Sequence, residues 1–192
     1  MKRITALSLG LLASSFIATS AVAAPETYII DNSHTFPRFE YTHMGFSNQV
    51  HRFNTTSGKV VLDRAAKTGS IDVLIDAKSV DTGSTVFNGH IQGDGFFDTA
   101  NFPTITFKSD SLKFEGDKLI SVDGIMTMKG ISKPLTLTVT AFNCKMHPMA
   151  KKDACGANAT GKLKRSEFNA GKYAPAVSDD VTVTLSIEAV KE

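Results

Sequence analysis

The sequence predicts an all-β fold of about eight antiparallel strands, closed into a barrel or packed as a sandwich. Three observations carry this reading. Apolar and polar residues alternate with period two in one segment after another, as in strands with one buried and one wet face. The connections are mostly short and rich in Gly and polar residues, such as EGDK at 115–118 and MKGIS at 128–132. Such connections suit hairpins and leave no room for the crossovers of a parallel sheet. After residue 23, no run of helical period and comparable length competes.

Taken in order, the chain begins with a segment that does not belong to the fold. Residues 1–23 hold Lys2 and Arg3, an apolar stretch to about Ile17, and the small-residue site Ala21-Val22-Ala23. This reads as a secretory signal peptide cleaved after Ala23, because its apolar core is too short to span a bilayer. The mature chain is therefore expected to be exported from the cytoplasm. No cysteine lies near the cleavage site to take a lipid. Residues 24–192 remain as one domain, 169 residues long and large enough for a sizeable core.

The first long strand, TFPRFEYTHM, sets Phe39, Tyr41 and His43 on one face and Arg38, Glu40 and Thr42 on the other. SGKVVLD opposes Val60 and Leu62 to Lys59 and Asp63, and SIDVLIDA opposes Ile71, Val73 and Ile75 to Ser70, Asp72 and Asp76. Residues 83–102 break the rhythm and predict a connection with one short helix, roughly 85–92, followed by a loop rich in Phe. Alternation then resumes with Ile105 and Phe107, and with Val122, Gly124, Met126 and Met128. Leu135, Leu137, Val139 and Ala141 follow on one face, then Ala159, Gly161, Leu163 and Arg165, and last Val181, Val183, Leu185 and Ile187.

Charge and cysteines bound the function. Removing Lys2 and Arg3 leaves 19 basic against 19 acidic residues, so nucleic acid is not an expected partner. Nor does the charge favour stable membrane insertion or attraction to an anionic surface. Cys144 and Cys155 lie close together in an exported chain, which predicts a disulfide stapling two strands, worth about 3 kcal/mol by chain entropy. The alternative is a soft-metal site of the two thiols with Met146, His147 and Met149, suited to Cu(I) and to a copper-handling or stress-response accessory role.

The inner face is apolar apart from Tyr41, His43 and Arg165. Either these residues sit at strand ends, satisfied by hydrogen bonds, or they meet the polar end of an otherwise apolar ligand. An inward guanidinium needs an anion or several acceptors in either case. No catalytic constellation appears. His34, His43, His51 and His90 with Asp31, Asp81, Asp94 and Asp98 match no G-x-S-x-G, H-E-x-x-H or paired metal motif. The expectation is a binding protein rather than an enzyme, with no metal.

In this order and spacing the motifs resemble those of the YceI-like family, lipocalin-like periplasmic β-barrels associated with polyisoprenoid lipids. The resemblance rests on DNSHTFPRFEYTHMGFS with Asp31, His34, Phe39 and His43, on SGKVVLD, and on SVDTG. It continues through FFDTANFPTITFKS, GIMTMKGISKPLTLTV and GKLKRSEFNAG. It implies a single lipocalin-like antiparallel barrel holding a long amphiphilic lipid of isoprenoid type, a quinone or polyprenyl compound, and no other cofactor. The expected apolar wall is Phe39, Phe96, Phe97, Phe102, Phe107, Met126, Met128, Leu137, Val139 and Leu185, with the mouth near 83–102. The Phe-rich loop of 96–102 would then cover one barrel end and the ligand. The chain departs from the family pattern where Phe87 and Asn88 replace an Arg-Asp pair, where His51 replaces a Gly, and in the segment holding Cys144 and Cys155.

Overall fold

The computed structural model describes residues 24–192, and the predicted leader lies outside the described residues. Eleven strands form one antiparallel sheet: β1 (Glu26–Ile30), β2 (Arg38–His43), β3 (Ser47–Phe53), β4 (Thr56–Asp63), β5 (Thr68–Asp76), β6 (Val80–Asp81), β7 (Thr104–Glu115), β8 (Lys118–Met128), β9 (Ile131–Met146), β10 (Asp153–Lys164) and β11 (Asp180–Lys191). Eight of them close a ring in the order β1-β4-β5-β7-β8-β9-β10-β11, because β1 pairs with both β4 and β11. The choice that alternation left open is thereby decided for a barrel. Closure removes the free edges that an open sheet would expose.

The other three strands form a flap, β2-β3-β6, hung on β11. With β10 along one edge, strand β11 serves two neighbours on the other: Ala189–Lys191 pair with β1, and Thr182–Thr184 pair with β2. The intervening segment is tied down where Asp31 donates its backbone N–H to the Glu188 carbonyl at 2.9 Å, and where Thr35 and Glu188 exchange hydrogen bonds. Strand β3 passes into β4 through Asn54 and Thr55 alone, so flap and ring share one bent ribbon.

The helix α1 (Thr85–Ile91) occupies the predicted place. Ser84 caps it by accepting from the Phe87 N–H, and Asn88 Oδ1 clasps the preceding turn by accepting from Thr82 N at 2.7 Å. Two short 3₁₀ turns, Ala77–Ser79 and Arg165–Phe168, were not predicted. The second corrects the placing of Arg165: it begins a 3₁₀ turn beyond β10, yet its side chain is still turned inward and buried.

Two β-bulges set the interior. In β9 the pairing steps from Val139 opposite Ala159 to Ala141 opposite Asn158, which leaves Thr140 unpaired. Beyond it the faces exchange, so Ala141 is exposed, against expectation, and Phe142 and Cys144 turn inward. In β7 the pairing steps past Ser109 and Asp110, opposite Gly124 of β8. A Cβ at Gly124 would lie 2.4 Å from Phe107 Cζ and 2.6 Å from the Lys108 carbonyl oxygen, so only Gly admits that ring. Cys144 and Cys155 are paired across β9 and β10 and joined by a disulfide.

Candidate functional site

A cavity of about 290 Å³ runs inside the barrel, at the lower end of the range of about 300–1,000 Å³ usual for small-molecule sites. Its walls follow from strand parity. Ile71, Val73 and Ile75 from β5, Ile105 and Phe107 from β7, and Val183, Leu185 and Ile187 from β11 all point inward and line it.

One end is sealed. Tyr28 is fully buried there, and its hydroxyl donates to Glu26 Oε2 at 2.7 Å. Burial and this carboxylate push the phenol pKa far above its ordinary value. Arg64 donates to Asp153 at 2.7 Å and Lys191 to Glu26 at 2.6 Å, so four elements are knotted around one ring. Above this network Phe114 meets Phe142 edge to face beside the disulfide, in a cluster with Leu62 and Leu112. None of these side chains lines the cavity, which ends above them.

The other end is a mouth ringed by four segments: the β2–β3 hairpin tip, α1, the 93–97 loop and the 170–177 loop. Phe39, Phe53 and Phe97 pack edge to face or tilted beneath it, with centroids 5.3–5.5 Å apart. A chain of rings continues upward from His51 through Phe87, His90 and Phe96 to Tyr173. Two of the positions that depart from the family pattern meet: His51 and Phe87 stand edge to face, with centroids 5.4 Å apart. Lys129 fastens two of the rim loops together by donating to the Asp94 and Asn169 carbonyls, each at 2.6 Å.

Arg165 holds the second of these. Its guanidinium donates to four carbonyls of one loop: Ser178 at 2.8 Å, Ala170 at 2.7 Å, Lys172 at 2.8 Å and Val177 at 2.6 Å. Burial draws its pKa below the ordinary guanidinium value, while Asp179 and Tyr41 act in the opposite sense. Several acceptors thus satisfy the inward charge, as the hydrogen-bonded alternative required. The Tyr41 hydroxyl and His51 Nε2 lie 3.1 Å apart, and burial raises the Tyr41 pKa and lowers that of His51. His51 Nδ1 has no hydrogen-bond partner among the described residues.

Phe39, Phe96, Phe97, Phe107, Met126, Met128, Leu137 and Leu185 line the cavity, as do Tyr41, His43 and Arg165. Two wall residues need correction. Phe102 lies outside the lining, against the β8–β9 turn, where its ring limits the space at Gly130. Val139 lies just before the β9 bulge and packs with Leu119, Val122 and Ala159 instead. Sequence reading missed Phe53, Phe87, His90 and Ile91 as lining. The i, i+3, i+4 spacing of the last three marks one helix face and was the available signal.

The remaining candidates do not converge on the cavity. His34 pairs with Asp31 at 2.8 Å on the surface, and the carboxylates of Asp81, Asp94 and Asp98 accept from neighbouring Asn or Gly groups. The disulfide takes up both thiols of the soft-metal alternative, and His147 Nδ1 accepts from the backbone N–H groups of Met149 and Ala150. Among the described residues no helix is long and apolar enough to cross a membrane.

A YceI-like domain profile matches residues 28–189. The protein YceI of Escherichia coli O6:H1 is 33% identical over 178 residues, 92% of each chain. A UPF0312 protein of Yersinia pestis is 34% identical over 188 residues, 97% of each. Among solved structures, the YCEI protein of Campylobacter jejuni superposes with a TM-score of 0.68 at 26% identity, over 79% of this chain and 90% of that one. A polyisoprenoid binding domain from Saccharophagus degradans shares the fold, with a TM-score of 0.64 at 18% identity, over 88% of this chain and all of that one.

Proposed function

The chain belongs to the YceI-like family, and from that premise we propose that it is a periplasmic carrier for a long-chain isoprenoid lipid of quinone or polyprenyl type. The single observation that carries the proposal is the polarity of the cavity: aliphatic and Phe walls run down to a sealed floor, and Tyr41, His43, His90 and Arg165 gather toward the mouth. A ligand of matching polarity lies with its tail toward Ile71, Leu185 and Ile187 and its polar group near Tyr41. Burial of the chain supplies the affinity, at about 25 cal/mol per Å² of apolar surface before the costs of association. Tyr41 offers a hydroxyl, and Arg165, with one N–H beyond its four carbonyl bonds, offers a further donor to an acceptor on the head group. Binding needs no chemistry, so no catalytic step is assigned.

Organic extraction of protein purified from the periplasm, followed by mass spectrometry, tests this reading. An isoprenoid compound in stoichiometric amount is the expected result, and extracts that hold no lipid above background would refute it. Elemental analysis of the same sample is expected to find no copper bound.

A further inference from the structure

The rim of the mouth is apolar and almost without charge. Met44 and Phe46 at the β2–β3 tip are 54% and 86% exposed, Val86 in the first turn of α1 is 86% exposed, and Tyr173 is 53% exposed. Residues 41–51, 84–92 and 173–178, which form most of the rim, contain no Asp, Glu, Lys or Arg in a chain that is 21% charged, and the rest of the rim carries one charge of each sign, Asp94 and Lys172. The opposite end makes a useful contrast. Met146 and Met149 are also exposed there, but Lys145, Lys151, Lys152 and Asp153 surround them in sequence. Exposed apolar groups without charges mark a surface that is covered in use, whereas single ones among charges do not.

Continuity says what covers it. Met44 and Tyr173 line the cavity and are also half exposed, so one apolar surface runs from the barrel interior over the lip to Phe46. We propose that this rim seats on the surface of a lipid bilayer, with Phe46 and Met44 entering the interface and the mouth set against the membrane. The inference rests on the lipid-binding reading and adds the route: a tail passes between bilayer and cavity without crossing water. Tyr and Phe at such a lip suit the boundary between head groups and acyl chains. A docked protein would cover the same side chains but would give the tail no apolar phase to enter or leave. With no basic cluster on the rim, the attachment is peripheral and does not require anionic lipid.

The chain has no Trp, so a single one reports cleanly. Residues 24–192 contain every strand of the closed ring, and the test uses that chain. With vesicles of phosphatidylcholine alone, Phe46→Trp is expected to shift its emission to the blue and to be quenched by brominated acyl chains. Met149→Trp, at the far end, is expected to stay unshifted. Adding phosphatidylglycerol should change the binding little. Phe46→Ser combined with Val86→Ser, neither of which lines the cavity, should lower vesicle binding by at least about tenfold and leave uptake of farnesol from dilute solution unchanged. Failure of the wild-type chain to take up farnesol would strike the lipid-binding reading and this inference with it. Normal farnesol uptake with no blue shift at the Phe46→Trp position, or an equal shift at Met149→Trp, would overturn the membrane seat alone.

Discussion

At the floor of the barrel, β1, β4, β10 and β11 converge on the buried Tyr28, and the bonds that close the end run between side chains: Glu26, Arg64, Asp153 and Lys191 about a phenol. At the mouth, β2, α1 and two loops ring the opening, and the bonds of Arg165 run from one side chain to the backbone of one loop. The floor joins strands already paired along their length, so its network and disulfide reinforce a hydrogen-bonded ladder. The 170–178 loop meets β2 at a single bridge, His43 opposite Val177, and a buried cation adds to it by collecting four carbonyls. One end is closed by redundancy. The other is held by two cations, Arg165 and Lys129, that bond backbone carbonyls, and is surrounded by Phe rings that can be displaced without breaking a hydrogen bond. A barrel that must admit a lipid and not leak it needs this asymmetry.

The sharpest way to break the comparison is Arg165→Met. Four carbonyls lose their donor, and the loss of charge-assisted bonds, at about 1.5–3 kcal/mol each before relaxation, should lower the stability by at least about 3 kcal/mol. Urea unfolding measures it. An unchanged midpoint would mean that the rim loop stands without its cation. Removing the disulfide with Cys144→Ala and Cys155→Ala should cost about 2–3 kcal/mol by chain entropy, but leave affinity per folded molecule as it was. A loss of affinity there would show that the two ends are coupled. Gly124→Ala, between them, forces the Phe107 ring and the bulged β7 backbone to move, at about 1–3 kcal/mol, and should weaken isoprenoid binding because Phe107 lines the cavity.

The smallest effect is a slope with pH. His51 is 5% exposed, and burial holds its folded pKa below the unfolded value of about 6.5. The unfolded chain therefore binds more protons in this range. The stability tied to neutral His51 is fully present above about pH 6.5 and is lost as pH falls toward the folded pKa. Thermal unfolding between pH 7 and pH 5 should show a steeper decline for the wild type than for His51→Phe. Equal slopes would remove His51 as the acid-sensitive point of the mouth.

Local rules were legible in the sequence and long-range ones were not. Alternation placed Ile71, Val73 and Ile75 on one face, and likewise Ala159, Gly161 and Leu163, because each depends only on neighbours in its own strand. It failed at Ala141, because a bulge is a property of two strands and Thr140 looks like any other polar position in LTLTVTAF. Closure was out of reach for a similar reason. A barrel and a sandwich ask for the same alternation, and what separates them is the pairing of Tyr28–Ile30 with Ala189–Lys191, from opposite ends of the chain. At the site, strand positions such as Phe39, Met126 and Leu185 could be read from parity. Phe102 could not, since a loop has no parity and its ring settles wherever a neighbouring turn leaves room.

The bulge in β9 acts on the strand as a frameshift acts on a message. Before Thr140 the strand spells an inner face with Leu135 and Leu137; after it the same alternation is read one place out of step, and Phe142 and Cys144 become the inner letters. Deleting Thr140 would remove the surplus residue and leave Val139 opposite Ala159 and Ala141 opposite Asn158 as consecutive pairs, with Phe142 and Cys144 still turned inward. Without the bulge, by contrast, the full-length strand would carry Ala141 inward and Phe142 and Cys144 outward. The bulge thus absorbs one residue so that the lower half of the barrel keeps its inner face and Cys144 stays opposite Cys155.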